Sequence, residues 1–298
     1  MRVKEKENGV ILEEVEDFEL PHIFECGQCF RWNKEDDGSY TGVALGKVIN
    51  LKKEGDNVYI DNTNYSEFMD VWYNYFDLKR DYGDIKEKLS EIDDTMLTST
   101  KFGYGIRILK QDEWETLVSF IISANNRIPM IKRAIEALSK NYGEYIGQYK
   151  GRDHYNFPKA ERLYNLDVDD IMFSGIGFRG KYILSAAKLI VQDGVDIYGL
   201  KNLSTEKARE RLMEFPGIGP KVSDCIMLFS MDKDDAFPID IWVKRVMEYF
   251  YIPEGTSLKK IQQFAQNKFG PLAGFAQQYL FYYARELKIG RGKKQSKR

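Results

Sequence analysis

Cysteine is scarce in this chain of 298 residues: Cys26, Cys29 and Cys225 are too few for a disulfide framework. Cys26-Gly27-Gln28-Cys29 has the spacing of half a zinc site. No second pair and no histidine partner closes it, so no side-chain metal site and no redox pair is expected. Long apolar runs are absent, as is a signal-peptide pattern. These absences exclude a membrane span and make an intracellular location the expectation, in cytoplasm or nucleoid, or in the nucleus of a eukaryote. Internal repeats and low-complexity segments are missing too. So is a strong net charge, which is −2 overall. That sum hides a division. Residues 1–100 carry 12 Lys/Arg against 23 Asp/Glu, a balance of −11, and residues 101–298 carry 32 against 23, a balance of +9. The second part can therefore present a positive face to nucleic acid, although a charged run is most often a solvated surface.

The length allows two or three packed domains. Residues 28–60 alternate and are rich in aromatics (Phe30-Arg31-Trp32, Tyr40 to Val43, Val48 to Leu51, Val58 to Ile60), with turn signals at Asp36-Asp37-Gly38, Gly46 and Glu54 to Asn57. This predicts an antiparallel meander. Residues 66–78 predict a short aromatic helix with Ser66 as N-cap, and residues 84–92 another. From Asp112 the period turns helical: Trp114, Leu117, Phe120 and Ile121 share one face, and Ile128, Ile131, Ile135 and Leu138 another. The expected fold is α+β. An N-terminal antiparallel β-sheet domain with helices (1–111) precedes an all-α domain (112–289), and a basic disordered tail (290–298) follows.

Phe215-Pro216-Gly217-Ile218-Gly219-Pro220-Lys221 carries the chemistry. Two glycines in a tight turn between apolar-periodic helices fit a helix-hairpin-helix. Gly217 and Gly219 permit close approach and unusual φ, and the amides around 217–222, Val222 included, can hold a backbone phosphate without reading sequence. The carbonyls of such a turn can also hold a monovalent cation. Lys221 sits where the second helix begins, so the helix dipole favours its neutral, nucleophilic form. Asp240 follows in Pro238-Ile239-Asp240. Each has an ordinary reading: a lysine there is most often a solubilising charge, and Asp240 an N-cap for the helix that begins Ile241-Trp242-Val243. Their coincidence with the hairpin favours covalent chemistry on a nucleic acid.

That run, with an Asp nineteen residues after the Lys, resembles the helix-hairpin-helix superfamily of DNA glycosylases, in which the Lys attacks the sugar. Four further stretches narrow the resemblance to the 8-oxoguanine DNA glycosylases: Gly27-Gln28-Cys29-Phe30-Arg31-Trp32, Ser123-Ala124-Asn125-Asn126, Gly177-Phe178-Arg179-Gly180-Lys181-Tyr182, and Gly274-Phe275-Ala276-Gln277-Gln278-Tyr279-Leu280-Phe281. The matches run in order from about residue 10 to residue 288. A four-cysteine cluster is lacking, which argues against the iron–sulfur members of the superfamily.

The resemblance implies an α+β glycosylase fold, no cofactor, and a monomer acting on double-stranded DNA that contains 8-oxoguanine. It also implies roles. Oxidation at C8 gives guanine an N7–H donor, which the carbonyl of Gly27 would accept. Gln277 would read the Watson–Crick edge, and Phe281 and Cys225 would sandwich the flipped base, though both residue types are ordinary in a core. Asn125 would fill the vacated hole, Phe178 would wedge into the stack, and Arg179 would face the orphaned base. Lys221 and Asp240 would be catalytic. Three positions depart from the family pattern: Phe178 replaces Tyr, Trp242 stands where His is usual, and Met130 stands where Arg often reads the orphaned cytosine. Loss of that Arg predicts a relaxed opposite-base preference. Two alternatives share the hairpin. One is a monofunctional alkylpurine glycosylase with Tyr279, Tyr282 and Tyr283 as an aromatic pocket. The other is a non-enzymatic helix-hairpin-helix DNA-binding protein.

Overall fold

A computed structural model describes residues 1–172 and 175–290 of the chain. Its first third is a six-stranded antiparallel sheet: β1 (Arg2–Lys6), β2 (Gly9–Glu13), β3 (Trp32–Lys34), β4 (Tyr40–Ala44), β5 (Lys47–Glu54) and β6 (Asn57–Asp61), in the order β1-β2-β6-β5-β4-β3. The meander over 28–60 is present as expected. The sheet is wider than the sequence reading, because β1 and β2 extend it through the β2–β6 pairing. Helix α1 (Leu20–Phe24) links β2 to β3. Trp32 pairs across β3–β4 with Gly42, and a Cβ on Gly42 would stand 2.1 Å from the indole. Only glycine lets that ring lie flat across the strand, where it stacks on Phe24 at 4.1 Å and donates from Nε1 to Tyr75 Oη at 2.9 Å.

The aromatic helix predicted over 66–78 runs as α2 (Tyr65–Glu67), a π turn (Phe68–Trp72) and α3 (Tyr73–Tyr75). Its N-cap is Asn64, whose side chain accepts from the Glu67 amide, and not Ser66, which lies inside the helix. Phe68, Trp72, Tyr75 and Phe76 close one apolar core over the inner face of the sheet. A second core starts at α4 (Tyr82–Ser90) and α5 (Asp94–Phe102) and continues through α6 (Glu113–Ser123) and α7 (Ile128–Tyr142). Asp81, Asp93 and Asp112 each cap the helix they precede through a side-chain oxygen.

A two-stranded hairpin, β7 (Tyr145–Tyr149) and β8 (Arg152–Tyr155), interrupts the helical part, where the sequence reading placed helices alone. Its turn residues Lys150 and Gly151 have φ of 47° and 72°, the twist a two-residue β-turn needs. After it come α8 (Ala160–Tyr164), α9 (Val168–Met172), α10 (Gly180–Val191), α11 (Thr205–Met213), α12 (Pro220–Ser230), α13 (Ile241–Phe250), α14 (Leu258–Phe269) and α15 (Ala273–Glu286). Arg31 ties the parts together: it bonds the Tyr155 carbonyl of the hairpin and pairs with Glu115 of α6 at 3.6 Å. No helix among the described residues is long and apolar enough to cross a membrane. Apart from Gly290, the tail expected to be disordered lies outside the described residues.

Candidate active site

The loop between α1 and β3 is fastened from three sides. Gln28 is fully buried; its Nε2 donates to the carbonyls of Ile23 and Arg107 at 2.9 and 2.7 Å, and its Oε1 accepts from the Leu109 amide. The Glu25 carbonyl accepts from Arg285 Nη2 at 2.6 Å, that of Cys26 from Gln278 Nε2 at 3.2 Å, and that of Gln28 from Gln111 Nε2 at 2.8 Å. Among the described residues the Gly27 carbonyl between them accepts no hydrogen bond. Gly27 has φ of +84°, a conformation that L side chains rarely adopt. Gln28, Phe30, Arg31 and Trp32 are all buried. They work as the frame that holds this one acceptor out.

Helices α11 and α12 form the predicted hairpin. Gly217 takes φ of +87°, and a Cβ there would meet the Tyr182 ring at 2.7 Å, so the turn requires glycine. Gly219 differs from the expectation of unusual φ: it is an ordinary extended N-cap at φ −105°. A Cβ on it would meet nothing within 4 Å, so its missing side chain clears the outer approach to the amides. Those of Gly219, Lys221 and Val222 donate to no acceptor among the described residues, which leaves the donors a helix N-terminus offers to an anion.

Lys221 occupies the first turn of α12. Among the described residues no carboxylate comes within ion-pair distance of its ammonium, which lies 5.2 Å above the ring of Phe120. Cys225, one turn on, is buried, and burial pushes its thiol up to about 11 against the opposing charge of Lys221. Asp240 is the N-cap of α13. Oδ1 accepts from both the Trp242 and Val243 amides, at 2.9 and 2.8 Å, and Oδ2 takes no part in the cap. Burial raises its pKa, opposed by the Val243 amide, the Lys221 charge, the Trp242 amide and Arg285. The capping role and a role in chemistry are therefore compatible, one oxygen for each.

Gly27, Lys221, Cys225, Asp240, Gln277 and Phe281 line one cleft together with Phe120. Gln277 is 5% exposed, and its Oε1 is buried without a partner. An orphan buried acceptor is costly unless a ligand or water supplies the donor. A larger cavity, about 670 Å³ between Gly46, Trp114, Asn156 and Tyr198, contains none of the predicted residues. The smaller cleft is the one where free acceptors and an unpaired amine meet.

A second group stands beside α6. Asn125, past its C-terminus, is exposed with φ of +50°. Arg179 is 8% exposed and donates to the carbonyls of Ala124 (Nε, 2.9 Å), Asn125 (Nη2, 3.0 Å) and Ile176 (Nη1, 3.3 Å). It also lies 4.5 Å from the Phe178 ring. The guanidinium thus holds Asn125 and Phe178 together. Phe178 is 59% exposed and Met130 42%. Trp242 lies beside Arg245, whose guanidinium is 5.3 Å from its ring.

Three features escaped the sequence reading. Phe120 is a wall of the cleft as well as a core residue; Gln278 and Arg285 hold the Gly27 loop. Their spacing from Gln277 and Phe281 on α15 was the available signal for the last two. Tyr279, Tyr282 and Tyr283 form no aromatic pocket: Tyr279 is buried, and the other two pack on Phe102 at 5.6 and 5.5 Å. Cys26 and Cys29 are free, buried and divided between the two cores.

Residues 10–117 match the family model described as 8-oxoguanine DNA glycosylase, N-terminal domain, and residues 118–271 that of the HhH-GPD superfamily base excision DNA repair protein. A probable N-glycosylase/DNA lyase of Methanothermobacter thermautotrophicus is 30% identical over 231 residues, 70% of this chain and 72% of the relative. The N-glycosylase/DNA lyase OGG1 of Arabidopsis thaliana is 28% identical over 285 residues, 88% of this chain and 76% of its own. Among solved structures, the Clostridium acetobutylicum 8-oxoguanine glycosylase/lyase, in complex with double-stranded DNA containing cytosine opposite 8-oxoguanine, superposes with a TM-score of 0.94. It has 49% identity and covers 97% of this chain and 99% of its own.

Proposed function

The chain belongs to the 8-oxoguanine DNA glycosylases of the HhH-GPD superfamily, and from that membership we propose that it excises 8-oxoguanine from duplex DNA and nicks the resulting abasic site. The observation that carries the reading is the convergence, in one cleft, of the free Gly27 carbonyl, the orphan Gln277 Oε1 and the unpaired Lys221 amine. The hairpin amides anchor a backbone phosphate, Phe178 wedges the stack, Asn125 fills the gap, and the flipped nucleotide enters the cleft, since its sugar is inaccessible in the duplex. The N7–H of the oxidised base donates to the Gly27 carbonyl; unmodified guanine presents a lone pair there and is repelled. The unprotonated Lys221 amine attacks C1′ while the free oxygen of Asp240 stabilises positive charge developing on the sugar. The base departs, and the Schiff base formed on Lys221 permits β-elimination and cleavage of the strand 3′ to the site.

Met130 offers no hydrogen-bond donor to the orphaned base, and Arg179 is engaged with three carbonyls. Excision opposite A, G or T therefore approaches that opposite C. The enzyme acts inside the cell as a monomer. Borohydride trapping with duplexes carrying 8-oxoguanine opposite each of the four bases tests lesion, nucleophile and opposite-base preference at once. Absence of a covalent adduct ends the lyase reading, and a steep preference for C in single-turnover rates ends the Met130 reading.

A further inference from the structure

Phe120, near the end of α6, has no part in the chemistry above, yet it lines the cleft with Lys221. Its ring is 3% exposed and is fixed by two others. It stacks on Phe229 at 5.6 Å with the planes 21° apart, and Phe30, from the loop that carries Gly27, meets it at 5.5 Å and 66°. The Lys221 ammonium lies over this ring, 5.2 Å from its centre. The face of an aromatic ring carries the negative part of its quadrupole and attracts a cation at that distance, whereas a neutral amine gains nothing comparable. Lys268 offers a contrast: it stands 5.1 Å from the Tyr251 ring and also pairs with Asp93 at 2.8 Å. Lys221 has the ring without a carboxylate at ion-pair distance among the described residues. The groups that feel its charge are the Cys225 thiol on its own helix and the Asp240 carboxyl of α13, on which Arg285 of α15 also acts. The Cys26 thiol lines the cleft from the loop side. Burial raises both thiols, Cys225 up to about 11, so neither supplies a countercharge near neutral pH. The helix dipole disfavours an ammonium at the start of α12, and the ring face opposes that effect.

We propose that Phe120 is a positioning residue for the nucleophile: its ring face holds the Lys221 ammonium against the cleft wall and so sets the pH at which the amine becomes available to attack. The proposal rests on the reading of Lys221 as the attacking amine. A leucine at position 120 would fill most of the same space but would have no face to offer a cation, so packing alone does not require the ring.

The test follows cleavage and borohydride trapping of a preformed abasic duplex across the neutral pH range. Enzyme is kept below saturation, so that the profile reports the free protein. An abasic duplex brings no base into the cleft, which leaves the ring facing the amine. Phe120 is replaced by mono-, di- and trifluorophenylalanine, which keep the ring's shape and progressively cancel the negative charge of its face, and by leucine. Loss of the attraction favours the amine, so the pH of half-maximal rate should fall with each fluorine, by about half a unit to one and a half units in all, with the plateau at high pH retained. Phe120→Leu should show a similar fall together with a plateau lowered by about tenfold, because the amine also loses the wall that aligns it. A half-maximal pH that stays constant or rises along the fluorinated series overturns the proposal, whatever the leucine variant does to the plateau. Should Phe120→Leu not fold, the fluorinated series decides alone. A wild type that leaves the abasic duplex uncleaved and untrapped brings down the lyase reading and this proposal with it, a result distinct from an active enzyme whose profile ignores the ring.

Discussion

Lys221 and Asp224 stand three residues apart on α12, and the two sides of that helix use charge in opposite ways. Toward the cleft, Lys221 has no carboxylate within ion-pair distance. Toward α11, Asp224 is buried and holds Arg209 at 2.8 Å. Burial pushes the Asp224 carboxyl up to about 6 despite that arginine. A similar strut crosses the seam between sheet and helices, where Arg31 meets Glu115 and burial pushes the carboxyl up to about 7. In the struts, charges are paired because an unpaired buried charge would cost the fold several kcal/mol. In the cleft, an amine stands without a carboxylate, and a carbonyl and an amide oxygen stand without donors.

The comparison is broken most severely at Lys221. Lys221→Gln should lower base excision by on the order of 10³-fold or more and abolish the trapped adduct, with little change in duplex affinity. A residual adduct would place the nucleophile elsewhere. Asp240→Asn keeps a capping oxygen and loses the charge, so excision should fall on the order of 10²- to 10³-fold while the denaturation midpoint barely moves. A large stability loss with normal rates would leave Asp240 as a cap alone. The strut should behave in reverse. Asp224→Ala leaves Arg209 unpaired yet partly in water, which predicts about 2–3 kcal/mol of destabilisation in urea melts and single-turnover rates close to wild type below the melting range.

The smallest effect is a dependence on pH. The Glu115 carboxyl in the native chain keeps its proton up to about 7, against 4.5 in the unfolded chain. Its contribution to stability is complete below pH 4.5 and is lost as pH rises through 7. The thermal midpoint of wild type minus that of Glu115→Gln should therefore decline across this window. A flat difference would mean that Arg31 already holds Glu115 ionised throughout.

The hairpin was legible locally because a Gly-rich turn between two apolar stripes has few other solutions. The Asp240 cap was legible for the same reason, since caps and turns are decided within about four residues. Strands β1 and β2 were not, because Arg2–Lys6 is charged and exposed and gains its place only by pairing with β2, which pairs with the distant β6. The β7–β8 hairpin escaped notice for a similar reason: its strands are short and half-polar, and the pairing itself defines them. Family resemblance supplied Gly27, Gln277 and Phe281 with their roles, but that the Gly27 carbonyl and Gln277 Oε1 stand without donors depends on neighbours distant in the chain.

What the sequence determined by itself is the chemistry available: one amine at a helix start, one carboxylate at the next, a glycine-rich grip for phosphate and too few cysteines for a four-cysteine cluster. Only the tertiary structure decided which groups are free. Gly27 and Arg285 are 258 residues apart in the chain, and their meeting depends on α15 packing against the loop after α1. A hydrogen bond left unmade is a property of three-dimensional surroundings, because it requires every neighbour that could have made it to be turned elsewhere.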